Sequence, residues 1–153
     1  MFFLKNTKKI ITAIVSGFII CSFNFNNTIV RASCEEKLIT NIIVPPAIVG
    51  TYAPIDIEQK NTNSVVYIRL SRATYSVSTQ IWGLNSMNWY DGKNCTRNAN
   101  GDVVNSVILN PYINYTIQND VKTYGYGFAG LKMCSTNQYN SSTVSLSWSP
   151  DYV

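Results

Sequence analysis

No histidine occurs anywhere in the 153-residue chain. Ser-His-Asp and Cys-His catalysis in their usual forms are therefore excluded, and so are zinc sites that need imidazole. Phosphate-cradling glycine loops and dinucleotide fingerprints are missing as well. Outside the N-terminal segment no window of helical length keeps a 3.6-residue apolar period, which points away from helical folds. The chain has no tandem repeat and no long low-complexity stretch.

The N-terminal segment, residues 1–32, reads as a cleaved secretory signal peptide. Lys5, Lys8 and Lys9 make a basic start, an apolar run follows from Ile10 to Phe25, and Val30 and Ala32 flank Arg31 in a small-residue cleavage pattern. The run is shorter than the roughly 20 residues a helix needs to cross a bilayer, so a retained anchor is the weaker reading. The expected location is secreted, or lipid-anchored at the cell surface if Cys34 is acylated. The four bases of this segment account for the whole formal charge of +4, and the remainder is neutral. Lys60, Arg69, Arg72, Lys93, Arg97, Lys122 and Lys132 are scattered singly, which excludes the broad basic field that nucleic acid requires.

Three of the four cysteines follow the signal. Cys95 and Cys134 lie in the strand-patterned region, and a disulfide between them would close a loop of roughly 40 residues, worth about 4 kcal/mol. Cys34 is then odd. It is a candidate lipidation site or intermolecular thiol, and its pairing with Cys95 or Cys134 stays open.

About 121 residues follow the signal, enough for one domain. Residues 33–63 read as a lead-in: Leu38-Ile39 and Ile42–Val44 suggest a short strand, and Pro45, Pro46 and Pro54 interrupt it. From residue 64 to 153 the period becomes two. Val66, Ile68 and Leu70 alternate with Tyr67, Arg69 and Ser71, and Thr74–Thr79 extends that strand or starts the next. Further strands are predicted at Ile81–Tyr90, with Gly83 as a bulge, Val103–Leu109, Tyr112–Gln118, Tyr124–Cys134 and Thr143–Trp148, the last stopped by Pro150. Turn clusters at Asp91–Asn94 and Asn98–Asp102 separate them. The fold class is all-β: a single antiparallel β-sandwich, or a small barrel, of six to eight short strands.

Binding residues are sought among the aromatics. Trp82, Trp89 and Tyr90 flank the Asp91-Gly92 turn, and Tyr112 and Tyr115 flank Pro111. Exposed aromatics on a β-scaffold stack on sugars or anchor protein partners, whereas buried ones are simply core. Strict alternation puts Trp82 and Trp89 on opposite faces. In Tyr124–Gly130, aromatics alternate with glycine, which suits either a strand packed beneath another sheet or an exposed self-association edge.

The Ala129…Val144-Ser145-Leu146 spacing and the closing Trp148-Ser149-Pro150-Asp151 resemble the end of a group of small exported Gram-positive β-proteins of uncharacterised function, some associated with bacteriocin-type gene clusters. The resemblance covers the C-terminal quarter. The cysteines and the lack of a Lys-rich middle depart from it. It implies export and a role in competition between bacteria, and no catalytic residue. The expected function is a secreted, non-enzymatic protein that binds a cell-surface, cell-wall or protein partner, without cofactor or metal. One alternative is a bacteriocin-like or pore-forming toxin, which would bring in the membrane. A second is a glycan hydrolase using carboxylates among Asp91, Asp102 and Asp120, since such chemistry needs a pair about 5–10 Å apart.

Overall fold

The computed structural model describes residues 35–152. The signal peptide and Cys34 lie outside the described residues. Nine strands form two antiparallel sheets, one more strand than the upper expectation, and no barrel closes among the described residues. They are β1 (Lys37–Val44), β2 (Ala53–Gln59), β3 (Val65–Ala73), β4 (Val77–Leu84), β5 (Lys93–Asn94), β6 (Val107–Leu109), β7 (Ile113–Ile117), β8 (Phe128–Ser135) and β9 (Ser142–Tyr152). One sheet, called sheet A here, has the order β1-β9-β3-β7. The other, sheet B, has the order β2-β8-β4-β5, with the short β6 also paired to β4. Helix is confined to two three-residue 3₁₀ turns among the described residues, and no helix there is long and apolar enough to cross a membrane.

The period-two pattern sets this arrangement. On β9, Val144, Leu146 and Trp148 point inward and alternate with Ser145 and Ser147. Val66, Ile68 and Leu70 of β3 face Ile117, Tyr115 and Ile113 of β7 in register, so both strands offer one apolar face. Sheet B answers with Val77, Ile81, Ala129, Leu131 and Met133. The buried Trp148 also joins the sheets through a polar contact: its Nε1 donates to Asp56 Oδ2 at 2.9 Å, and Lys37 Nζ donates to Asp56 Oδ1 at 2.8 Å.

Several boundaries differ from the expectation. The supposed lead-in supplies two sheet strands, β1 and β2, one to the outer edge of each sheet. Pro54 is tolerated in β2 because that strand lies at an edge, where one side of the backbone has no ladder to complete. Pro150 does not stop β9. Two bonds of β3, from Val65 to Tyr67, lie opposite three of β9, from Tyr152 to Ser149, and the proline sits in that irregularity. The stretch expected as a strand over Ile81–Tyr90 is instead β4 ending at Leu84, then a loop and a 3₁₀ turn, Trp89–Asp91.

Behind Pro150, Lys60 is buried with 1% of its surface exposed. Its Nζ donates to the Ser64 carbonyl at 2.8 Å and to the Pro150 carbonyl, and lies 3.3 Å from Asp151 Oδ1. Asp151 also accepts from the Asn61 amide, the Thr62 amide, the Thr62 hydroxyl and the Ser64 hydroxyl. The loop between β2 and β3 is thereby pinned to the end of β9.

Candidate functional site

Residues paired across an antiparallel ladder share a face. On sheet B, Ser78, Gln80, Trp82 and Leu84 of β4 lie opposite Cys134, Lys132, Gly130 and Phe128 of β8 on the side away from the core. Trp82 is central there, paired to Gly130 on one side and to Asn94 of β5 on the other. The loop after β4 then folds back over the same face, so Trp82 and Trp89 come together rather than falling on opposite faces. Gly130 makes this possible: a Cβ on it would lie 2.6 Å and 2.7 Å from two atoms of the Trp89 ring and 2.8 Å from Leu84 Cδ1. Gly83, expected as a bulge, stays in an unbroken ladder with Ala129, and its missing Cβ leaves room for Tyr126 and Cys95 on the core side.

Lys132 rises between the two indoles. Its Nζ stands 3.3 Å from the Trp82 ring centroid and 5.1 Å from that of Trp89, a cation–π arrangement. Burial lowers the lysine's pKa from its ordinary value. Trp82 Nε1 donates to Gln80 Oε1 at 2.8 Å, and Gln80 Nε2 donates to Asn105 Oδ1 at 3.1 Å, which fixes the indole plane. Tyr90, next to Trp89, is 93% exposed, and its amide is held by Asn88 Oδ1 at the start of the 3₁₀ turn. Sequence reasoning had no signal for Lys132: the cation–π contact arises only when the loop returns over β8.

Tyr112 and Tyr115 are not part of this cluster. They follow β6 at the Val77 end of β4, whereas Trp89 and Tyr90 follow its Leu84 end. Tyr112 is 80% exposed and has a left-handed backbone, φ 68, at the turn into β7. The Tyr115 hydroxyl accepts the Asn110 amide at 2.7 Å, so this tyrosine closes the turn rather than offering a free tip.

The expected Cys95–Cys134 disulfide is absent, and both thiols are free and buried. The reason is topological. Cys95 packs in the core beside Gly83, whereas Cys134 shares the opposite face of sheet B with Ser78. A bridge would have to pass through the sheet. Burial pushes the pKa of both thiols up, which keeps them protonated and unreactive. The Gly-rich segment is no exposed edge: Tyr124–Gly127 forms a turn, and β8 is an interior strand between β2 and β4. Lys93 Nζ lies 3.4 Å from the Tyr124 ring centroid, tying that turn to β5.

The three aspartates weighed for hydrolysis are each engaged locally. Asp91 accepts from Ser86, Asp102 from the Asn98 side chain, and Asp120 pairs with Arg97 at 2.5 Å. No group of three or more His, Cys, Asp or Glu side chains that could hold a metal ion occurs among the described residues. The cluster on sheet B brings together two half-buried indoles, one cation, side-chain amides and an exposed phenol.

No curated protein and no solved structure matches the chain. A family model does, over residues 35–152, the span of both sheets, and the chain therefore belongs to DUF2712, a family of proteins of unknown function.

Proposed function

We propose that this domain is an exported, non-enzymatic binding module whose contact surface is the Trp82–Lys132–Trp89–Tyr90 face of sheet B. The observation that supports it most is the convergence of two tryptophans on one face. Strand alternation alone would have parted them, and Gly130 leaves the space that one of them fills. Aromatic and cationic side chains held on a rigid sheet are what a cell-surface, cell-wall or protein partner would engage at low entropic cost. The resemblance of the C-terminal segment to exported proteins near bacteriocin genes favours a partner on a competing or neighbouring bacterium.

The test is binding of the purified protein to isolated Gram-positive cell envelopes. Trp89→Ala with Tyr90→Ala is expected to reduce binding at least tenfold, since hot-spot aromatics carry about 2 kcal/mol or more each. Retained far-UV circular dichroism and melting would show that the fold survives. Binding equal to that of the parent protein would refute this assignment.

A further inference from the structure

The outer face of sheet A is built differently. Along β9 its floor consists of Thr143, Ser145 and Ser147, all short side chains. On one side stand Leu38 and Ile43 of β1, paired with Ser147 and Thr143 and exposed by 70% and 69%. On the other stand Arg69 and Arg72 of β3, paired with Ser147 and Ser145. Two flanking strands place these rims about 10 Å apart, and the floor is about 13 Å long. The result is a furrow with one apolar wall and one cationic wall. Tyr67 and Tyr152, stacked with centroids 4.8 Å apart, lie on the strands beyond Ser147.

The cationic wall depends on a bulge. Residues three apart in a regular strand face opposite ways, so Arg72 should point into the core. The ladder instead sets two bonds of β3, Leu70 to Arg72, against one of β9, Leu146 to Ser145. The extra residue, Ser71, donates from Oγ to the Ser145 carbonyl at 2.8 Å. This turns Arg72 onto the face of Arg69. Both arginines are exposed, and neither forms an ion pair or side-chain hydrogen bond among the described residues. Asn114 extends the same face beside Arg69. Glu36, just before β1, reaches the floor with its carboxylate, which accepts from Ser147 Oγ at 2.6 Å.

We propose that this furrow binds a linear, hydroxyl-bearing phosphodiester polymer. The arginines take its phosphates, the row of hydroxyls takes its hydroxyl groups, and Leu38 and Ile43 cover its carbon chain. Ser145 Oγ already accepts the Asn41 amide at 3.1 Å and Ser147 Oγ already donates to Glu36, so Ser145 keeps its proton and Ser147 a lone pair for the ligand. The site lies on the other sheet from the tryptophan cluster and stands without that reading.

Titration of the purified protein with a synthetic glycerol-phosphate oligomer tests it, with dextran and phosphatidylglycerol vesicles alongside. Binding to the oligomer is expected, weakening as salt rises. Arg69→Gln with Arg72→Gln should lower affinity about tenfold per arginine and flatten the salt dependence. Glu36→Gln should tighten binding, because it removes a like charge from the floor. Trp89→Ala with Tyr90→Ala should leave oligomer binding unchanged. Absence of binding, equal binding to dextran, binding to vesicles alone, or an unaltered affinity in the double arginine variant would each overturn the proposal.

Discussion

Breaking the buried Lys60–Asp151 pair should cost very different amounts depending on which partner is removed. Among the described residues, Asp151→Ala leaves the ammonium with two carbonyl acceptors, those of Ser64 and Pro150, in a site with 1% exposure. It also orphans the Asn61 and Thr62 amides and the Ser64 hydroxyl, while Thr62 Oγ1 keeps Ser64 Oγ as an acceptor. An uncompensated buried charge of this kind costs about 3–5 kcal/mol. Lys60→Met keeps most of the apolar stem and removes the charge. The Asp151 carboxylate then still accepts the neutral hydrogen bonds from Asn61, Thr62 and Ser64, and the Ser64 carbonyl keeps Asn119 Nδ2 at 3.3 Å, so the loss should be about 1–2 kcal/mol, mostly from the Pro150 carbonyl losing the ammonium. Urea titration of both variants measures the difference, and Lys60→Met proving as costly as Asp151→Ala would refute the reasoning. The pH dependence supplies a second readout. Burial raises the Asp151 pKa, but the Asn61 amide, the Thr62 hydroxyl and Lys60 outweigh it and hold it below the ordinary value. Its contribution is therefore present above the unfolded value, about 3.9, and lost as pH falls through the folded one. Lys60 is lowered, chiefly by burial, against the attraction of Asp151. Between its folded value and about 10.4 the unfolded chain holds the extra proton, so stability from this group rises with pH there. Lys60→Met should abolish that rise.

Two further perturbations test the packing. Gly130→Ala should displace Trp89 from its seat, because the new methyl would lie 2.6 Å from the ring; a loss of about 1–3 kcal/mol and a red-shifted tryptophan emission are expected, and unchanged emission and melting would contradict the close packing. Thr79 is fully buried, and its Oγ1 has no hydrogen-bond partner among the described residues, so Thr79→Val should raise stability by about 1 kcal/mol in thermal unfolding, whereas a loss would show that the hydroxyl is bonded after all.

Which elements were legible in the sequence follows from how regular each strand is. Val66, Ile68 and Leu70, and again Val144, Leu146 and Trp148, are spaced by two, so β3 and β9 announce themselves and carry the core of sheet A. β1 hides its pattern because a register shift at Thr40 and Asn41 turns Ile39 and Ile42, three residues apart, to the same side. β2 hides behind Pro54, which reads as an interruption but is harmless at an edge. At the candidate site, Trp82, Trp89 and Tyr90 were visible as residue types. Their convergence was not, because it depends on the path of residues 85–88 and on a glycine 41 positions after Trp89. The disulfide expectation failed for a related reason: spacing along the chain carries no information about which side of a sheet a thiol occupies. Lys60 and Asp151 are 91 residues apart, beyond any local pattern.

The position of β9 has a consequence for the order of assembly. It is last of the nine strands in the chain, yet it sits between β1 and β3 in its sheet. A polypeptide delivered N-terminus first, from a ribosome or through a translocation pore, presents β1 and β3 long before the strand that joins them exists. Sheet B and the β3–β7 pair have all their strands before residue 142, whereas β1 has no partner in its sheet until β9 arrives, so the four-stranded sheet closes last.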